Sequence, residues 1–179
     1  MSAEQISPKP SRLSKATVER IAETIAKKLG FRPDGSIEDI VARFGGKIIV
    51  GTNGHDDYES GSIVARSLND FTIYLSKFTS LARDRFTIAH ELGHLLLHLS
   101  VVQKEKPNAI MRATRWVDDK NPDQQRAEWE ANWFAAAFLM PSNEFKELYL
   151  AKGAEEAQKE FGVSAKAIEI RAKSLNLTL

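Results

Sequence analysis

The sequence predicts an α+β fold: a small, mainly antiparallel three-stranded sheet packed with helices and followed by a helical C-terminal part. Three observations carry that prediction. Apolar residues recur at helical spacing over several long stretches. Three short runs rich in β-branched and aromatic residues lie between residues 47 and 75. One largely apolar stretch, residues 80–99, contains His90-Glu91-x-x-His94.

The 179-residue chain is 42% hydrophobic, enough to bury a sizeable core. One domain is expected over residues 14–179, with residues 142–179 as its helical C-terminal part. A disordered arm is expected at residues 1–13, where Pro8, Pro10 and polar residues break any periodicity. Basic residues number 25 against 24 acidic ones, so no overall field draws the chain to nucleic acid or anionic lipid. The absence of cysteine excludes disulfides, thiolate zinc sites and cysteine nucleophiles together. Residues 1–14 lack the apolar core of a secretory signal, and no segment approaches about 18 consecutive apolar residues, so a soluble, cytoplasmic protein is expected.

Taken in order, Val18, Ile21, Ala22, Ile25 and Leu29 mark a first helix, with Gly30 as its left-handed stop and Phe31 closing the contact. Ser36 caps a second helix whose inner face is Ile37, Ile40, Val41 and Phe44, ended by Gly45-Gly46. The strands are expected at Lys47 to Val50, Ser62 to Arg66 and Phe71 to Leu75. Asn53-Gly54 and Asn69-Asp70 read as turns between them. After the motif helix, residues 100–120 read as a long connection with a possible strand around Ile110 to Trp116. Asn121 as N-cap, Pro122 at the first position and Gln124 closing a capping box open another helix, which runs to Met140 before Pro141. Short helices complete the chain at residues 143–150, 154–161 and 164–175.

On a helix, residues four apart share a face, so His90 and His94 can direct ring nitrogens at one metal ion. Glu91 then projects beside the metal, placed to take a proton from water without being a ligand. Ile88, Ala89, Leu92, Leu95, Leu96 and Leu97 imply burial, and unpaired polar groups there would cost on the order of several kcal/mol. A metal would offset that cost. Without one, these residues would be polar groups on a solvated stripe, their spacing a matter of chance.

A catalytic zinc takes three protein ligands and leaves a fourth position for water. Candidates for the third are His98, Glu128, Glu130, Asp118, Asp119, Asp123 and His55. Glu128 shares a face with Ala131, Asn132, Ala135 and Phe138, where small residues permit close helix packing. Glu130 lies about 200° further round. Glu128 is therefore preferred. His98 sits roughly 12 Å along the axis from His90, too far to share the ion on an unbroken helix, and reads as a supporting group, a substrate contact or a capped core histidine. Asn132, one turn after Glu128, suits orienting a ligand or plain helix packing.

The blocks Arg85-Phe86-Thr87-Ile88-Ala89-His90-Glu91-Leu92-Gly93-His94-Leu95-Leu96-Leu97-His98 and Glu128-Trp129-Glu130-Ala131-Asn132-Trp133-Phe134-Ala135-Ala136-Ala137-Phe138-Leu139-Met140-Pro141 closely resemble the ImmA/IrrE family of metallopeptidases. The resemblance continues into Phe161-Gly162-Val163-Ser164, Ala167 and Arg171 and covers roughly residues 34–176. It implies a gluzincin-like core with a zincin-type active-site helix, Zn²⁺ held by His90, His94 and Glu128, and Glu91 as catalytic base. It also implies a substrate class, helix-turn-helix repressors or antitoxins that silence mobile elements or stress genes. Neither the extra sensory domain of longer members nor the repressor-like domain of fused ones is expected from these 179 residues.

The neutral donor that would stabilise an oxyanion is open among Tyr58, Tyr74, His55 and Tyr149. Phe71 to Leu75 is the candidate edge strand for an extended substrate. Two other functions compete: a binding module with a structural zinc, and a DNA-binding regulator using the C-terminal helices. Against the latter, Lys159, Lys166, Arg171 and Lys173 are balanced by Glu155, Glu156, Glu160 and Glu169. Peptide deformylase shares the motif but requires a cysteine, which is lacking.

Overall fold

The structure, a computed structural model, describes residues 4–51, 62–114, 118 and 120–177. Among these are six helices and one five-stranded sheet. The helices are α1 (Lys15–Leu29), α2 (Ile37–Arg43), α3 (Leu81–Glu105), α4 (Pro122–Leu139), α5 (Ser142–Phe161) and α6 (Ala165–Ser174). The strands are β1 (Gln5–Ile6), β2 (Lys47–Val50), β3 (Ser62–Ser67), β4 (Asp70–Leu75) and β5 (Ile110–Ala113).

The helix starts follow the sequence closely. Ser14, Ser36, Ser80 and Ser164 each accept a backbone N–H in the first turn, and Asn121 accepts those of Asp123 and Gln124. Gln124 does not close the expected capping box; its Oε1 accepts instead from the Asp118 N–H at 3.1 Å. The motif helix is longer than expected because Val102 stays buried and the helix ends only at Lys106. The two expected helices at 143–150 and 154–161 form one element, broken at Gly153, whose φ of 82° is left-handed.

The three-stranded, mainly antiparallel sheet is not what forms. The order is β1-β5-β3-β4-β2, with β1–β5 and β2–β4 parallel and β3 antiparallel to both its neighbours. The tight β3–β4 hairpin through Leu68-Asn69 places β3 inward, and β2 then pairs on the far side of β4. Phe71 to Leu75 is thus interior, and the edges are β1 and β2. The Asn53-Gly54 turn lies outside the described residues.

Order also extends into the arm expected to be disordered. Gln5 and Ile6 extend the sheet beside Ile110 and Met111, and Pro8 and Pro10 are buried. Two paired residues are too few to leave a periodic signal. What holds them is distant: the Glu4 carboxylate accepts from Lys106 Nζ at 2.7 Å, and Gln5 Oε1 from Arg112 at 3.2 Å.

The sheet packs on α3, α3 packs most extensively on α4, and α4 packs on α1. Gly93 lets α3 and α4 approach, since a Cβ there would lie 3.1 Å from the Ala131 Cα and 3.2 Å from the Phe134 Cβ. Buried Arg171 ties α6 to the rest, donating to the Met140 carbonyl, Glu19 and Glu23. No helix among the described residues is long and apolar enough to cross a membrane.

Candidate metal centre

The close α3–α4 crossing brings His90, His94 and Glu128 together. Their donor atoms lie within 4.8 Å of one another, the one such group of three or more among the described residues. His90 Nε2 is 3.2 Å from Glu128 Oε2, His94 Nε2 is 3.0 Å from Glu128 Oε1, and the two Nε2 atoms are 3.0 Å apart.

The other ring nitrogens are engaged elsewhere. His90 Nδ1 donates to Asn132 Oδ1 at 3.0 Å, and His94 Nδ1 meets His98 Nδ1 at 3.0 Å. With Nδ1 protonated, each Nε2 presents a lone pair, so two lone pairs and a carboxylate converge with no proton of their own between them. Such a triangle calls for a cation. Burial disfavours charge on His90, but Glu128, Glu91 and Asn132 outweigh it and raise its pKa. Burial pulls His94 down to about 4. Burial would push Glu128 up, but its bonds to both histidines hold its carboxyl well below the usual range.

Glu91 is buried, and its Oε2 has no hydrogen-bond partner. Burial pushes its carboxyl up to about 8. An orphaned buried carboxylate oxygen next to three converging donors is what a zinc site with an open water position leaves when ion and water are taken away. The residues therefore fit Zn²⁺: two imidazoles, one carboxylate, a fourth position and a base. A cleft of about 920 Å³ opens on them, walled by Phe86, Trp129, Trp133 and Met140, and by Ile170 and Lys166 of α6.

Glu130 does not join this group. It is fully buried behind the metal triangle, where Oε2 accepts from His98 Nε2 at 3.1 Å. Ser11 N–H at 2.8 Å, Ser11 Oγ at 2.7 Å, Arg12 N–H at 2.9 Å and Arg126 Nε at 2.9 Å also donate to it. Burial opposes its ionisation, but bonds from His98, Ser11 and Arg126 prevail and hold its carboxyl at about 2. Among the remaining candidates, Asp118 and Asp123 are exposed and engaged with Lys120 and Arg12 respectively. Tyr74 and Tyr149 do not line the cleft. His55, Tyr58 and Asp119 lie outside the described residues. Sequence reasoning missed Ser11, Arg12 and Arg126, whose separation from Glu130 along the chain or plain surface character gave no signal.

An α+β fold whose long helix presents two histidines, an adjacent base and a glutamate from the next helix defines a metallopeptidase-like domain. The family profile described as IrrE N-terminal-like domain, peptidase M78, matches residues 54–173, and the chain belongs to that family. No curated protein matches the chain significantly. Among solved structures, a Mycobacterium tuberculosis transcriptional regulator is similar, with a TM-score of 0.58 and 19% identity. The match covers 88% of this chain and 46% of that one, so this chain spans less than half the length of that regulator. At that identity the likeness concerns the fold.

Proposed function

We propose that the protein is a zinc-dependent endopeptidase that cleaves a regulatory protein in the cytoplasm, with a helix-turn-helix repressor or antitoxin as the substrate class. The observation that carries this is Glu91 Oε2, buried without a partner beside the lone-pair triangle of His90, His94 and Glu128. Membership in a peptidase family supports it. The substrate class rests on the family resemblance alone.

His90, His94 and Glu128 hold the ion. Bound zinc supplies Lewis acidity to a substrate carbonyl and lowers the pKa of water at the site to about 7. Glu91 accepts the proton of the attacking water and returns it to the leaving amine. Asn132 fixes the His90 ring through Nδ1. The apolar cleft walls exclude water from a bound segment.

Purified protein, zinc and candidate repressors in a gel assay test the proposal. Cleavage by the parent and none by Glu91→Gln, with zinc retained in both, is expected. A stable, zinc-loaded complex that never cleaves would instead favour the binding module, and a salt-dependent gel shift with DNA alone would favour the regulator.

A further inference from the structure

Behind the metal triangle runs a chain of hydrogen bonds from His94 to the N-terminal segment. His94 Nδ1 meets His98 Nδ1 at 3.0 Å, His98 Nε2 meets Glu130 Oε2 at 3.1 Å, and Glu130 receives the Ser11 and Arg12 amides. His98 and Glu130 are both fully buried, so no water competes along the line.

Proton bookkeeping gives the line a direction. Glu130 collects five donors, more than a carboxylate's roughly four lone pairs accept with ease, and so it stays ionised and accepting. The proton between it and His98 must sit on His98 Nε2. In the neutral tautomer with that proton on Nε2, Nδ1 is bare and accepts, which puts the proton in the next gap on His94 Nδ1. His94 Nε2 is thereby left as a lone pair facing the metal position. Were Glu130 not an acceptor, His98 could carry its proton on Nδ1 and turn the His94 proton onto Nε2, where it would bar a metal.

The N-terminal segment is shaped for this contact. Arg12 adopts a left-handed φ of 60°, rare outside glycine, and the Ser11 and Arg12 N–H groups converge on the two Glu130 oxygens as an anion-binding nest. Further ties fix the segment: Arg126 donates to the Leu13 carbonyl at 2.6 Å, and Arg12 pairs with Asp123 at 2.7 Å.

We propose that His98, Glu130 and the docked segment around Ser11 and Arg12 form a positioning relay that sets the His94 tautomer, so that docking of the N-terminal segment and zinc binding strengthen each other. The proposal rests on the metal centre assigned above. None of these residues touches substrate; they act through His94. The coupling must be reciprocal, because two events that share one equilibrium change each other's affinity by the same factor.

The test uses the full chain and zinc alone. Zinc dissociation constants are measured by chelator competition for the parent, Glu130→Gln, His98→Phe and a variant lacking residues 2–12, each checked for native helical content. Losing an outer-shell partner of a metal ligand is expected to weaken zinc by roughly tenfold to a hundredfold. In the parent, amide exchange at Ser11 and Arg12 should slow on zinc binding by about the factor that the truncation costs in affinity, while amides of α5 stay unchanged. That second readout needs no variant to fold and would not respond to a purely structural role. Equal zinc affinity in the folded variants, or identical Ser11 and Arg12 exchange with and without bound zinc, overturns the relay alone. A parent chain that takes up no zinc overturns the metal centre and the relay with it.

Discussion

Helix α4 presents two glutamates two residues apart, and each meets histidines of α3, yet they sit in opposite situations. Glu128 faces His90 and His94 at the floor of the cleft, partly open to solvent and short of donors. Glu130 faces His98 in the sealed interior, saturated with donors from three parts of the chain. Chemistry needs an incomplete shell, because a group already satisfied has nothing to offer a metal or a substrate. A supporting group needs the reverse. The same residue type serves both because helix periodicity turns neighbours to different surroundings.

The sharpest way to break this contrast is at Glu91, the incompletely bonded carboxylate on the Glu128 side. Glu91→Gln should lower cleavage by about 10²- to 10⁴-fold, the range for a positioned general base, with zinc content unchanged. Steady-state rates together with metal analysis check this.

On the sealed side, Glu130→Leu strands buried donors of Ser11, Arg126 and His98 and should cost about 3–5 kcal/mol in urea unfolding of the metal-free protein. Glu128→Gln in the same assay should cost less, since this group is partly open to solvent and the amide oxygen can still accept at the histidines. Equal costs would erase the distinction.

Gly93→Ala presses on both pairs at once by forcing α3 from α4, and should destabilise the fold by about 1–3 kcal/mol. Thermal melts with and without zinc would show the zinc-dependent stabilisation shrinking as well.

Much of this was legible in the sequence because it depends on local rules. Caps at Ser36 and Asn121, the four-residue spacing of His90 and His94, and the 200° offset of Glu130 from Glu128 all follow from helix geometry. Sheet order was not legible. The partner of Lys47–Val50 is set by which edge remains free once the β3–β4 hairpin forms, and no turn residue encodes that. Nor was the fate of Glu130, whose partners Ser11 and Arg12 lie nearly 120 residues away. Nothing about an isolated Ser-Arg pair marks it as a nest for a buried carboxylate.

A smaller effect concerns acid. Glu130 has its folded pKa depressed from 4.5 to about 2, so the stability its ionised form contributes is present above pH 4.5 and is lost as pH falls toward 2. The urea midpoint of the metal-free protein should decline through that window. Glu130→Gln should flatten the decline, and a variant with the parent's slope would assign the acid limb to other groups.

The central claim, that His90, His94 and Glu128 hold one zinc ion while Glu130 only supports them, is tested most directly by zinc stoichiometry at saturating metal followed by dialysis. One zinc per chain in the parent and in Glu130→Gln, and none in Glu128→Gln, is the predicted result. A Glu128→Gln protein that keeps one zinc with the parent's affinity would contradict it.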